Sequence, residues 1–84
     1  MTEIEWEIMA IAVIKSTLDI RGQDLTKNSS IETLEQWDSL RHMAIITAIE
    51  ALVERQLEVD EILEATSVSG IADIIRSSQR NIKE

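Results

Sequence analysis

No proline interrupts this chain of 84 residues, and its apolar residues recur at intervals of three and four. Both facts press the backbone toward helix: proline breaks a helix more sharply than any other residue, and this spacing gathers apolar side chains on one helical face. Ile4, Ile8, Ile11, Val13, Ile14 and Leu18 form the first such set. Thr2 stands ahead of it with Glu5 three residues on, the form of a capping box, and Gly22 comes after it as a stop, so a first helix is predicted to run to about Asp19. Ile45, Ile46, Ile49, Leu52 and Val53 mark a second helix over 39–55, and Ile71, Ile74 and Ile75 a last one over 68–80. At the end of that last helix, Arg76, Arg80 and Lys83 complement the dipole. Between them, 59–65 has room only for a short helix. Polar and small residues dominate 22–36, with Leu25, Ile31 and Leu34 spaced like pins that hold a long structured loop on a core. The expected fold is all-α: a four-helix bundle of three main helices, a short third helix and a long first loop. A chain of this length buries one modest core, so 1–84 reads as a single domain.

Sixteen acidic residues against eight basic ones leave a net charge of −8. Such a surface repels phosphate backbones and anionic membranes and attracts basic protein surfaces, so nucleic acid is not an expected partner. Over 32–64 there are nine acids against Arg41 and Arg55, a balance of −7, so nearly all the charge sits there. The apolar residues are interrupted by charges well before a membrane-spanning length, and no basic-then-apolar leader opens the chain. A cytoplasmic monomer without membrane insertion is expected. Cysteine is absent, which excludes disulfides, thiolate metal sites and any thiol belonging to the chain itself.

Chemistry concentrates at Trp37-Asp38-Ser39-Leu40, where the loop meets the second helix. If the Asp38 carboxylate accepts the N–H groups of Leu40 and Arg41, Ser39 becomes the first helical residue and its hydroxyl stays at the rim. A phosphodiester attached there sits at the positive end of the helix dipole. Trp37 and His42, the fourth helical residue, are spaced to pack as a staple. The plain alternative is an ordinary helix start. A hydrolytic pair of Ser39 with His42 lacks a carboxylate to orient the imidazole, since Asp38 is already the cap, and no catalytic residue is expected. Glu50, Glu54, Glu58 and Glu61 at helical spacing read as a solvated face rather than as metal ligands.

The segment Ser29-Ser30-Ile31-Glu32-Thr33-Leu34-Glu35-Gln36-Trp37-Asp38-Ser39-Leu40 resembles the end of the first loop and the attachment motif of acyl carrier proteins. Ile45, Ile46, Ile49 and Val53 match that family's second-helix core, 60–65 its short third helix, and Thr66-Ser67-Val68 the start of its fourth, so the resemblance runs without a gap over 29–76. It implies the bundle of the acyl-carrier type. It also implies that a phosphopantetheinyl transferase attaches 4'-phosphopantetheine from coenzyme A to Ser39, with Asp38 and Leu40 as motif neighbours. The chain would then be a non-catalytic carrier of thioester-bound acyl groups, serving acyl-loading and acyl-transfer enzymes with basic docking surfaces.

The Trp before Asp-Ser-Leu resembles stand-alone carriers of specialised pathways. Arg41, His42, Ala44 and Ala51 stand where general fatty-acid carriers usually have acids or neutral polar groups, while Glu50, Glu54, Glu58, Asp60, Glu61 and Glu64 retain an acidic face further on. The resemblance thus implies a dedicated pathway making a specialised lipid or polyketide or modifying a polysaccharide. The alternative cargo is an aminoacyl or D-alanyl group. From another class, the alternative is an acidic helical adaptor with no prosthetic group. Partner contacts are expected from Leu40, Met43 and Thr47, on the flank facing away from Ile45, Ile49 and Val53, with Glu50, Glu54 and Glu61 supplying negative charge.

Overall fold

The computed structural model describes residues 2–20 and 24–82, with side chains as far as Ser78. It contains four helices, α1 (Glu3–Leu18), α2 (Ser39–Val53), α3 (Val59–Glu64) and α4 (Val68–Ile82), and so is the all-α bundle with a short third helix that the apolar spacing predicts. Among the described residues no helix is long and apolar enough to cross a membrane.

The capping box starts α1 as expected: the Glu5 N–H donates to Thr2 Oγ1 at 3.3 Å, and the Thr2 N–H to Glu5 Oε1 at 2.8 Å. The helix is closed by Asp19 in the left-handed region (φ 57, ψ 49). Gly22, expected as the stop, lies outside the described residues, as do Lys83 and the side chain of Arg80. The buried row of α1 is Ala10, Ile14 and Leu18, flanked by the half-buried Trp6, Met9, Ile11 and Val13. Ile4 and Ile8 belong to the sequence's apolar set but face solvent, because they fall on a row further round the helix than the one that meets its neighbours.

Helix α2 buries Ile45, Ile46, Ile49 and Val53 and ends two residues earlier than predicted, with Glu54 as a left-handed cap (φ 61, ψ 37). Leu52, expected on the same face, is 38 % exposed. Helix α4 contributes Val68, Ile71, Ala72, Ile74 and Ile75 to the core. It is the centre of the bundle, packing most extensively on α1 and also on α2 and α3. The long loop is pinned as expected, with Leu25, Ile31 and Leu34 against the core. A short antiparallel bridge adds to this: the Ile31 N–H donates to the Thr66 carbonyl at 2.8 Å and the Val68 N–H to the Ser29 carbonyl at 3.0 Å.

At the far end of α2, Arg55 ties three elements together. Its guanidinium donates Nη1 and Nη2 to the two oxygens of Glu61 on α3, at 2.9 and 2.6 Å, and Nε and Nη2 to Ser78 Oγ on α4, at 3.1 and 2.9 Å. Ser78 is fully buried and donates its own proton to the Ile74 carbonyl at 2.8 Å, so its hydroxyl is satisfied in both roles. The fork geometry of arginine suits such a bidentate pair. Glu61 is therefore not part of a free solvated face. Its hydrogen bonds from Arg55 hold the carboxyl below the usual carboxylate range against an opposing desolvation, and the same pairing raises Arg55.

Gly70 marks a close approach of α4 to the end of α3. A Cβ built there would lie 2.0 Å from the Glu64 carbonyl oxygen, while the Gly70 N–H donates to Ser67 Oγ at 3.0 Å, the cap of α4.

Gly70→Ala is accordingly expected to destabilise. Overpacking costs about 1–3 kcal/mol, and here it strikes backbone, so it outweighs the roughly 1 kcal/mol of helix propensity that alanine gains. Denaturant unfolding of the variant beside the parent checks the sign. A second expectation concerns acid. A carboxyl with a depressed folded pKa contributes stability that is present above its unfolded value and lost as pH falls through the folded one. Stability should therefore drop below the ordinary carboxylate range, and Glu61→Gln, which gains no proton there, should show a shallower acid limb. Identical acid limbs for the two proteins would mean that Glu61 contributes nothing to the acid response.

Candidate functional site

The loop ends on Trp37, only 1 % exposed, and that anchor sets the course of the backbone beyond it. Burying an indole here leaves the next residue extended at the surface: Asp38 has φ −100 and ψ −178, and its Oδ1 accepts the Arg41 N–H at 2.9 Å. Of the two donors expected, Leu40 and Arg41, it is Arg41 that bonds. The Asp38 carbonyl accepts the His42 N–H at 2.8 Å and opens the helical ladder. Ser39 is thereby the first residue of α2 and exposed, and its Oγ makes no hydrogen bond among the described residues. Arg41 Nη1 reaches back to Asp38 Oδ2 at 3.2 Å and to the Gln36 carbonyl at 3.4 Å, which sets a positive charge against the carboxylate beside the serine. The Asp-to-Arg spacing of three residues was the readable sign of that pair.

Trp37 and His42 do meet, with ring centroids 6.0 Å apart and planes tilted by 36°. The staple is polar as well as apolar: Trp37 Nε1 donates to His42 Nδ1 at 3.1 Å, and His42 Nε2 lies 3.2 Å from the Ile62 carbonyl on α3. Both ring nitrogens are thus engaged by groups other than Ser39.

Leu40 is 82 % exposed and Met43 55 %, and Thr47 is exposed with its hydroxyl donating to the Met43 carbonyl at 3.0 Å. These are the residues placed on the outer flank by the sequence. On α3, Val59 and Leu63 are exposed apolar residues as well; their spacing of four, with Ile62 turned inward, was the available signal. Of the three acids expected around the flank, Glu54 is exposed, Glu50 Oε2 accepts the Leu57 N–H at 2.9 Å and keeps its charge, and Glu61 is paired with Arg55. Among the described residues no group of His, Asp and Glu is placed to hold a metal ion.

No family model matches the chain, and no curated protein matches it. What the site can do rests on its residues: a primary hydroxyl at a helix start with no hydrogen bond among the described residues, beside an ion-paired acid and exposed apolar side chains.

Removing the cap by Asp38→Ala should cost about 1 kcal/mol, read as a lowered unfolding midpoint. Ile49→Ala, at a fully buried position, should cost about 2–5 kcal/mol. Met43→Ala should leave thermal unfolding nearly unchanged; equal losses in the Met43 and Ile49 variants would mean the outer flank is packed.

Proposed function

We propose that this chain is a non-catalytic acyl carrier protein whose Ser39 hydroxyl accepts 4'-phosphopantetheine from coenzyme A. The observation that carries the reading is Ser39 itself: first residue of α2, exposed, and with no hydrogen bond competing for its Oγ among the described residues. The surroundings fit a phosphodiester. The first-turn N–H groups point toward the rim where it would be attached, and the Asp38 carboxylate, which would otherwise repel it, is paired with Arg41 at 3.2 Å. When bound, the group supplies the thiol that a chain without cysteine lacks.

The chain's own residues then hold and present. Trp37 and Asp38 fix the start of α2, and Leu40, Met43 and Thr47 give a receiving enzyme an apolar surface beside Ser39. Glu54 and the acidic balance of 32–64 favour partners with basic surfaces: a phosphopantetheinyl transferase first, then acyl-loading and acyl-transfer enzymes of a dedicated cytoplasmic pathway. Tethering raises the local concentration of cargo at each partner without any bond chemistry by the carrier.

Incubation with coenzyme A and a broad-specificity phosphopantetheinyl transferase should raise the mass of the intact protein by one phosphopantetheine, and Ser39→Ala should gain nothing while keeping its unfolding midpoint. An unmodified parent protein would favour the acidic adaptor. A modified alanine variant would move the site elsewhere.

A further inference from the structure

His42 reaches in two directions, and its two contacts together define the tautomer of its neutral ring. The indole N–H of Trp37 can only donate, so His42 Nδ1, 3.1 Å away, accepts. The neutral ring therefore carries its proton on Nε2 and donates it to the Ile62 carbonyl at 3.2 Å. A chain of hydrogen bonds thus runs from the loop through α2 to α3. A second ring proton has no place in it: on Nδ1 it would face the indole N–H, donor against donor, and Trp37 is too deeply buried to find water without moving.

We propose that His42 is a protonation-gated positioning residue. Neutral, it holds the indole of Trp37 and with it the turn into Asp38 and Ser39. Protonated, it keeps its bond to α3 and releases Trp37, so that the geometry at the start of α2 responds to pH. The charged groups on the surrounding elements are Glu35 on the loop, Asp38 at the cap and Arg41 in the first turn of α2, Glu58 at the cap of α3, and Asp60, Glu61 and Glu64 on α3. Asp38 is paired with Arg41 and Glu61 with Arg55, and among the described residues neither ring nitrogen of His42 is hydrogen-bonded to a carboxylate. The proposal concerns the chain's geometry and holds whatever Ser39 carries.

The chain has one histidine and two tryptophans, which makes the test direct. Long-range proton–nitrogen spectra of the intact labelled protein at neutral pH should show the Nε2–H tautomer. On acidification the indole N–H resonance of Trp37 should move upfield with the same midpoint as the His42 ring, together with the backbone amides of Asp38 and Ser39. The Trp6 indole, on α1, should stay unchanged. In His42→Phe that shared response should be lost. An Nδ1–H tautomer, a Trp37 indole resonance that stays in place while the ring titrates, or amide shifts that persist with the same midpoint in His42→Phe would each overturn the proposal.

Discussion

The burial of Trp37 decides where α2 begins, and most of the site depends on it. A side chain of that size gains several kcal/mol from leaving water, on the order of 25 cal/mol for each Å² of apolar surface, and it does so here at the last step of a long polar loop. Its main chain is held by the Leu34 carbonyl at 3.1 Å and its indole by His42, so both ends of the residue are fixed. The backbone has to turn outward directly afterwards. Asp38 is left extended at the surface with its carboxylate over the first free N–H groups, and Ser39 can only be the exposed first helical residue. The exposure of the hydroxyl is thus the other side of the burial of the indole.

The opposite end of α2 is held by different physics. Arg55, Glu61 and Ser78 form a polar node in which each donor and acceptor of the serine is used and the guanidinium is held by a bidentate carboxylate. Such a node adds modestly to net stability because desolvation offsets much of the attraction, but it is directional in a way that apolar contact is not. It gives α3, a helix of six residues with none fully buried, a defined orientation that its own side chains could not impose.

Helix existence and order were legible in the sequence because apolar spacing, the Thr2-Glu5 box and the Asp38 cap are local signals that the tertiary structure had no reason to override. The exposed first-turn serine and its capping acid were legible for the same reason. What escaped were the contacts between distant segments. Nothing within Leu52-Val53-Glu54 says which way the last turn of α2 faces, and Ile4 and Ile8 look like core until the rotation of α1 against α4 is known. Glu50 and Glu61 read as solvated charges because their donors, the Leu57 N–H and the Arg55 guanidinium, are brought round by a turn rather than by helical spacing. The same holds for His42: its bond to Trp37 is near in sequence, but the Ile62 carbonyl is twenty residues away.

The most extensive helix packing in the bundle joins α1 to α4, the two helices farthest apart along the chain, and a salt bridge of 3.6 Å between Glu3 and Arg76 spans the same distance. Helix α2 also packs on α1, but α4 supplies the larger share of the surface that covers it. Closing so long a loop is the entropic hurdle that must be met before the largest gain is realised.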